Sequence, residues 1–162
     1  MGGKKSNQDP LPAQVAIPLG AQERAALAER WTQHPGMQHL GARADFSDPA
    51  KARVYIDPLE PHHRGGMGTE AVNGAVTAGL FDVAVGIVGH FHTMGRRAGT
   101  AQLAIQFIRP VLGDRIEVEA RLVRAGTNLV FVAGEAFDQN RVLCARCDGI
   151  VAVSGGGVNE AL

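Results

Sequence analysis

The amino-acid sequence predicts an α+β fold in which one long helix is enclosed by a curved antiparallel sheet of about six strands. Two observations predict it. The stretch 71–91 is almost continuously apolar, which is typical of a helix that is covered on all sides. The segments after Gly95 alternate apolar and polar residues, which is typical of half-buried strands joined by short turns. Wrapping such a sheet around the helix would bury both apolar surfaces.

The residues before the long helix predict a loose tail, an additional helix and two short strands. Residues 1–18 are polar and contain prolines, so we expect a flexible tail. Ala21–Gln33 carries an apolar stripe at helical spacing, and His34-Pro35-Gly36 is expected to end that helix. The two predicted strands are His39–Phe46 and Arg53–Ile56, followed by a loop rich in proline, histidine and glycine.

The remaining elements are the central helix, from about Ala71 to Phe91, and four strands. The predicted strands are Thr100–Ile108, Arg115–Val123, Leu129–Phe137 and Arg141–Val153. The turns between them contain Gly, Pro, Asn and Asp, which suit hairpins. We expect a single domain over residues 19–162. One such unit leaves sheet edges bare, so we expect a symmetric homodimer, or a dimer of dimers.

Charge and composition exclude several classes of protein. The chain has 16 basic and 16 acidic side chains, a balance that argues against nucleic-acid binding. Met1–Pro10 is polar and lacks the apolar core of a signal peptide, so we expect a cytoplasmic protein. The apolar stretch Ala71–Gly89 contains Asn73 and Asp82. A mid-span aspartate is costly in lipid, so we expect this helix to lie inside protein and not in a membrane.

Cysteines and histidines predict neither a redox site nor a metal site. Cys144 and Cys147 form a C-x-x-C motif inside a predicted strand, whereas the redox motif belongs at a strand-to-helix turn. We expect two packing thiols. The histidine pairs at positions 62–63 and 90–92 lack a Cys, Asp or Glu that would complete a ligand set at a familiar spacing. We expect ordinary loop histidines.

The central helix carries a motif that resembles the signature of hotdog thioesterases of the phenylacetate-degradation type. That signature is His-Gly-Gly, then apolar residues, Leu-x-Asp and a tail of small residues. In the run 73–82, Gly74 matches the first glycine, and Leu80 and Asp82 match the Leu-x-Asp. Downstream, residues 106–110 resemble the "F-x-R-P" end of a strand in this family. The ordered pieces cover most of the chain after the first helix.

The resemblance implies a hotdog fold, hydrolysis of an acyl-CoA thioester, and three site residues. The backbone N–H of Gly74 would polarise the thioester carbonyl. Asp82 would act as general base or nucleophile, and Thr100 of the facing subunit would hold the attacking water. The sequence departs from the family at the helix start, where Asn73 replaces the histidine, and at Met67, where an asparagine is usual.

The proposed chemistry has physical support. A helix N-terminus offers unpaired N–H groups and about half a positive charge, which suit a developing oxyanion. Asp82 lies roughly 12 Å further along the same helix than Gly74, so one substrate atom cannot touch both within one chain. In an antiparallel dimer, one substrate atom can lie near Gly74 of one subunit and Asp82 of the other. We expect burial among apolar neighbours to raise the pKa of Asp82, which would help a general base.

Each site residue has a structural alternative. Asp82 could cap a neighbouring loop, since a carboxylate in an apolar helix needs a partner. Asn73 could be the helix N-cap, a substrate contact or both. Gly74 could serve close helix packing, and Thr100 could be an ordinary strand residue.

Coenzyme A would need cationic groups for its phosphates. The hairpin residues Arg124, Gly126 and Thr127 are the candidates that we favour, because Arg124-Ala125-Gly126 resembles the basic-glycine hairpin of the family and arginine pairs well with phosphate. Other arginines, at positions 96, 97 and 109, are weaker candidates.

The function predicted from the sequence is hydrolysis of an aryl- or medium-chain acyl-CoA, with no cofactor and no metal. One competitor is a non-catalytic acyl-CoA-binding hotdog protein, which would use the same pocket without activating water. Another is a hotdog dehydratase or hydratase, which would need a catalytic histidine that the helix start lacks.

Overall fold

The computed structural model describes residues 16–65, 70–93 and 95–154. Its α-helices are α1 (Ala21–Thr32), α2 (Pro35–Leu40) and α3 (Gly74–Phe91). Its strands are β1 (Arg43–Asp45), β2 (Ala52–Ile56), β3 (Ala98–Phe107), β4 (Ile116–Ala125), β5 (Leu129–Asp138) and β6 (Leu143–Val153). A short 3₁₀ turn, Pro61–His63, lies in the loop before α3.

The six strands form one antiparallel sheet in the order β1-β2-β4-β5-β6-β3. The last three strands of the chain form a meander by successive hairpins, whereas β3 joins the far edge by pairing with β6. Helix α3 packs against five of the strands, β2 to β6. The predicted α+β layout, with a curved sheet around a central helix and an extra helix before it, is therefore confirmed.

The central position of α3 follows from its composition. Leu80, Phe81 and Val85 are fully buried against the sheet. The helix approaches the sheet so closely that a Cβ atom at Gly149 of β6 would lie 2.6 Å from a methyl carbon of Val85. Glycine in the strand is thus required by the helix that crosses it. In the described ranges, α3 is the one helix whose length and apolar composition would suit a membrane crossing, and half of it is buried inside the protein.

The prediction of a strand over His39–Phe46 is wrong for its first half. His34-Pro35-Gly36 ends the first helix but also begins a second one. The His34 ring accepts a hydrogen bond from the Gly36 N–H at 3.2 Å, and Pro35 occupies the first helical position, which proline favours. Gly41 ends α2 in the left-handed conformation, at φ 65°. Only Arg43–Asp45 remains as strand.

Two other predicted boundaries shift for local reasons. The central helix begins at Gly74 and not near Ala71, because Asn73 caps it. The last strand begins at Leu143 and not at Arg141, because Arg141 takes a left-handed backbone conformation, at φ 62°, in the preceding turn. The other strands of the meander begin and end within two residues of their predicted limits.

Both cysteines are buried on β6 as free thiols, as predicted for packing residues. Burial raises the pKa of the Cys147 thiol to about 11 and also raises the pKa of Cys144. Neither thiol is therefore poised for redox chemistry near neutral pH.

Candidate active site

The first turn of α3 leaves one backbone N–H without a partner among the residues that the structure describes. The Asn73 side-chain oxygen accepts a hydrogen bond from the Ala75 N–H at 2.8 Å. The Asn73 carbonyl oxygen accepts from Val76 and Thr77, at 3.0 and 3.2 Å. The Gly74 N–H makes no hydrogen bond within the part of the chain that the structure describes. The N-cap alternative for Asn73 is confirmed, and the cap leaves the Gly74 N–H free for a ligand.

Gly74 borders an apolar pocket of about 460 Å³. We call this the Gly74 pocket, and it is lined by Ala71, Val72, Gly74, Thr77, Phe107, Ile108, Arg109, Pro110, Val111 and Ala145. An alanine Cβ at Gly74 would lie 3.6 Å from the Phe107 ring, so a side chain there would project toward the pocket wall. The free N–H therefore lies in apolar surroundings, where a hydrogen bond to an oxyanion is strongest.

Asp82 borders a second space, a groove of about 500 Å³ between α3, the N-terminal helices and the start of β3. We call this the Asp82 groove. Its wall on the α1–α2 side includes Trp31, Met37 and Leu40. Gly79 and Gly86 line it one turn before and after Asp82, so small residues leave space around the carboxylate. The other lining residues are His34, Gly36, His39, Val83, His90, Ala98, Gly99 and Thr100.

The expected burial of Asp82 is wrong for the single chain, because its side chain is exposed. The aspartate lies on the α3 face turned away from the sheet, whereas its neighbours Phe81 and Ala84 point into the core. The Asp82 carboxylate makes no hydrogen bond or ion pair with any residue that the structure describes. The alternative that it caps a neighbouring loop therefore has no support in the structure.

Thr100 lies in the Asp82 groove of the same chain. Its hydroxyl oxygen would be 3.6 Å from a Cβ atom added at Gly86, one turn beyond Asp82. The family resemblance implies that this threonine comes from the facing subunit. Within one chain the structure already brings Asp82 and Thr100 together, but it places Gly74 in a different pocket.

The edge strand β3 runs between the two spaces. Its first residues, Ala98 to Thr100, line the Asp82 groove, and its last residue, Phe107, lines the Gly74 pocket. Within the described sheet, β3 pairs only with β6, so its other edge is open. Phe107 is 59% exposed and Ile108 is 44% exposed, which is high for large apolar side chains. This end of the sheet is incompletely covered.

The candidate coenzyme A residues lie elsewhere. Arg124, Gly126 and Thr127 are exposed at the β4–β5 turn, where the Gly126 N–H donates to the Leu129 carbonyl at 2.8 Å. They do not line either space, so their proposed contact with coenzyme A stays a prediction. Arg109, a weaker candidate, does line the Gly74 pocket. Met67 lies outside the residues that the structure describes.

A family model described as the thioesterase superfamily matches residues 70–145, the stretch that contains Gly74, Asp82 and β3. Over this stretch, the chain is similar to the thioesterase superfamily. The sequence is also 24% identical, over 80% of this chain and 93% of the relative, to a protein named medium/long-chain acyl-CoA thioesterase YigI from Salmonella typhimurium.

Solved structures agree with this superfamily's fold. The Escherichia coli PaaI protein of the phenylacetic acid degradation operon superposes with a TM-score of 0.70 at 18% identity, covering 86% of this chain and 96% of PaaI. A Bacillus halodurans protein crystallised with CoA superposes with a TM-score of 0.66 at 22% identity, covering 81% of this chain and 87% of that protein. These likenesses establish the hotdog fold.

The Asp82 groove also includes residues of α1 and α2, which precede the stretch that the family model matches. Trp31 of α1 lies with its ring centroid 6.2 Å from that of His90, edge to face, and 6.0 Å from that of His34. In the sequence, Trp31 is only one member of the apolar stripe predicted for the first helix. The groove role of these rings could not be inferred, because α1 and α3 are brought together only by the tertiary fold.

His63 is a second residue whose role the sequence did not reveal. Its Nε2 donates to the Leu40 carbonyl oxygen at 3.0 Å, and its Nδ1 accepts from the Glu60 N–H at 2.9 Å. Its own carbonyl accepts from the Asn73 N–H at 2.9 Å. Burial and the neighbouring His62 lower the pKa of His63, so the ring is neutral in this role. It connects α2, which borders the Asp82 groove, to the capped start of α3.

Proposed function

We propose that this protein hydrolyses acyl-CoA thioesters, with a site shared between two subunits. The observation that carries the proposal is that one helix presents, at apolar spaces, two groups that have no partner among the described residues, the Gly74 N–H and the Asp82 carboxylate. The first suits the oxyanion of a tetrahedral intermediate, and the second suits activation of water. The likeness to the thioesterase superfamily over residues 70–145 supports this reaction class.

A homodimer formed through β3 would bring the two groups together. Pairing two copies of this edge strand antiparallel sets the beginning of one strand against the end of the other. The beginning borders the Asp82 groove, and the end borders the Gly74 pocket. The open edge of β3 and the exposed Phe107 and Ile108 support this interface, because such surfaces need cover. The dimer would contain two equivalent sites.

The proposed reaction uses groups from both subunits. The thioester carbonyl oxygen accepts a hydrogen bond from the Gly74 N–H of one subunit. Asp82 of the other subunit takes a proton from a water that Thr100 orients, and the water oxygen attacks the carbonyl carbon. The tetrahedral intermediate collapses by breaking the carbon–sulfur bond, and Asp82 gives the proton that it took from water to the leaving thiolate, which leaves as free coenzyme A. Direct attack by Asp82 on the carbonyl carbon is the variant mechanism.

The Asp82 groove is the proposed site for the acyl group. Trp31, Met37 and Leu40 give it an apolar wall, and its volume of about 500 Å³ far exceeds the roughly 150 Å³ of an engineered cavity that holds benzene. An aryl or medium-chain acyl group would fit such a space. The coenzyme A arm would leave over the Gly74 pocket, where Arg109 supplies positive charge, and the exposed Arg124 hairpin could contact the nucleotide.

The test is release of free thiol from a panel of aryl, medium-chain and long-chain acyl-CoA esters. Asp82→Asn should lower kcat by about 10²- to 10⁴-fold, the usual contribution of a general acid or base. The matched control is Asp148→Asn on β6, since Asp148 is also exposed and lines neither of the two spaces. The control should keep wild-type activity, and both variants should keep the wild-type melting temperature.

Two outcomes would contradict the proposal. Tight binding of acyl-CoA esters without thiol release by the wild type would identify a non-catalytic binding protein. Thiol release that is unchanged in Asp82→Asn would show that this carboxylate is neither base nor nucleophile.

A further inference from the structure

Thr77 is a buried hydroxyl-bearing residue with an unusual environment. Its relative exposure is 2%, and it lines the Gly74 pocket. Its hydroxyl makes no hydrogen bond with any residue in the described ranges. Thr93, which is also buried, behaves differently, because its hydroxyl donates to the His90 carbonyl at 3.0 Å. One buried threonine near α3 is thus satisfied by the protein, and the other is not.

The missing partner needs an explanation, because a fully enclosed hydroxyl without a hydrogen bond costs about 1–3 kcal/mol. Within the described ranges, the Thr77 oxygen is not a fully enclosed unpaired atom, so it can be reached from the Gly74 pocket. A helical threonine usually bonds to the carbonyl four residues earlier. That carbonyl belongs to Asn73, and it already accepts from the N–H groups of Val76 and Thr77. The hydroxyl of Thr77 is therefore left available to a ligand in the Gly74 pocket.

The geometry of an α-helix places Thr77 on the same face as Gly74. Residues three apart lie on the same helical face, about 5–6 Å apart. Side chains on a helix lean toward its N-terminus, so Thr77 covers the surface beside the preceding turn. Gly74 has no side chain to obstruct that surface. A free N–H and a free hydroxyl thus border the same apolar pocket.

We propose that the Thr77 hydroxyl donates a second hydrogen bond to the thioester carbonyl oxygen, beside the bond from Gly74. This inference rests on the proposed function, because it assigns a residue to the same site. A carbonyl oxygen has two lone pairs and can accept from both donors. The bond strengthens as negative charge develops on the oxygen, so it stabilises the transition state more than the bound substrate. No matching residue was identified from the sequence.

The test compares Thr77→Val, which keeps the shape and removes the hydroxyl, with Thr77→Ser, which keeps it. Thr77→Val should lower kcat on the order of 10²-fold, as loss of one oxyanion donor does. Thr77→Ser should recover most of that loss. The melting temperature of Thr77→Val should equal or exceed that of the wild type, because no hydrogen bond within the protein is removed.

A binding measurement separates this inference from the proposed function. The probes are a CoA ketone, in which a methylene replaces the thioester sulfur, and a CoA thioether, which lacks the carbonyl. Thr77→Val should weaken binding of the ketone by roughly 2- to 12-fold, the value of one neutral hydrogen bond, and leave the thioether unaffected.

The outcomes are distinguishable. If the wild type binds the ketone but releases no thiol, hydrolysis is refuted. The Thr77 contact is then supported if Thr77→Val weakens binding of the ketone and not of the thioether, and it is overturned if both affinities are unchanged. Unchanged kcat and unchanged ketone affinity in Thr77→Val overturn the inference while hydrolysis stands. A lower melting temperature with unchanged kcat would assign Thr77 a structural role and also overturn it. Failure of the wild type to bind either probe would overturn both.

Discussion

Replacing Gly74 by alanine should inactivate the protein without unfolding it. Gly74 is the first residue of α3, and an added Cβ would meet the Phe107 ring at 3.6 Å, an ordinary van der Waals distance. Its backbone is not left-handed, so alanine introduces no strain there. The new methyl group would lie in the pocket beside the N–H that is proposed to bind the carbonyl oxygen.

Gly74→Ala should raise the stability of the fold and lower its activity. Alanine is better than glycine by about 0.8–1.0 kcal/mol within a helix and by less in its first turn. We expect a gain between zero and about 1 kcal/mol, which for a chain of this length raises the melting temperature by no more than roughly 2–4 °C. Blocking the oxyanion donor should lower kcat/KM by about 10²- to 10³-fold.

The matched control is Ala75→Gly, at the next position of the same turn. Ala75 is exposed and lines neither space, so this variant should lose up to about 1 kcal/mol of stability and keep its activity. Thermal melting and thiol release measured on both variants give the comparison. If Gly74→Ala kept more than half of the wild-type kcat/KM, the thioester carbonyl oxygen could not bind at the Gly74 N–H.

Three further predictions concern the surroundings of the site. Trp31→Ala should enlarge the Asp82 groove and shift kcat/KM toward longer or bulkier acyl groups, measured across the acyl-CoA panel; an unchanged ranking would place the acyl group elsewhere. Gly149→Ala should destabilise the fold by about 1–3 kcal/mol in denaturant unfolding, because its Cβ would lie 2.6 Å from Val85; a neutral effect would show that the helix can move away. The lowered pKa of His63 means that its stabilising contribution is present above its unfolded pKa of about 6.5 and is lost as the pH falls through the folded value. The free energy of unfolding should therefore fall more steeply from pH 7 to 5 in the wild type than in His63→Gln, because glutamine does not titrate. Equal slopes of unfolding free energy against pH would contradict this.

Much of the fold was predictable because the signals were local and repeated. The alternation of apolar and polar residues in β4 fixed which face meets the core, and the apolar composition of α3 required a covered helix. The error at α2 arose because the same residues, His34 and Pro35, can end one helix and begin another.

The site was predictable only in part. A joint role of Asp82 and Thr100 was expected across two subunits, whereas the structure places both in one groove of a single chain. Asn73 caps the helix start, as one of its alternatives required. The exposure of Asp82 could not be foreseen, because few polar residues mark which side of this nearly apolar helix faces the core. Thr77 was hidden for the same reason, since its free hydroxyl depends on which carbonyls are already occupied.

The placement of Gly74 and Asp82 eight residues apart on one rigid helix has a genetic consequence. Each shared site would take its amide from one chain and its acid from the other. Within one subunit, a Gly74 substitution and an Asp82 substitution would therefore disable different sites of the dimer. Mixing inactive Gly74→Ala and Asp82→Asn subunits would then regenerate one intact site in every hybrid dimer. Random exchange would restore about a quarter of wild-type turnover.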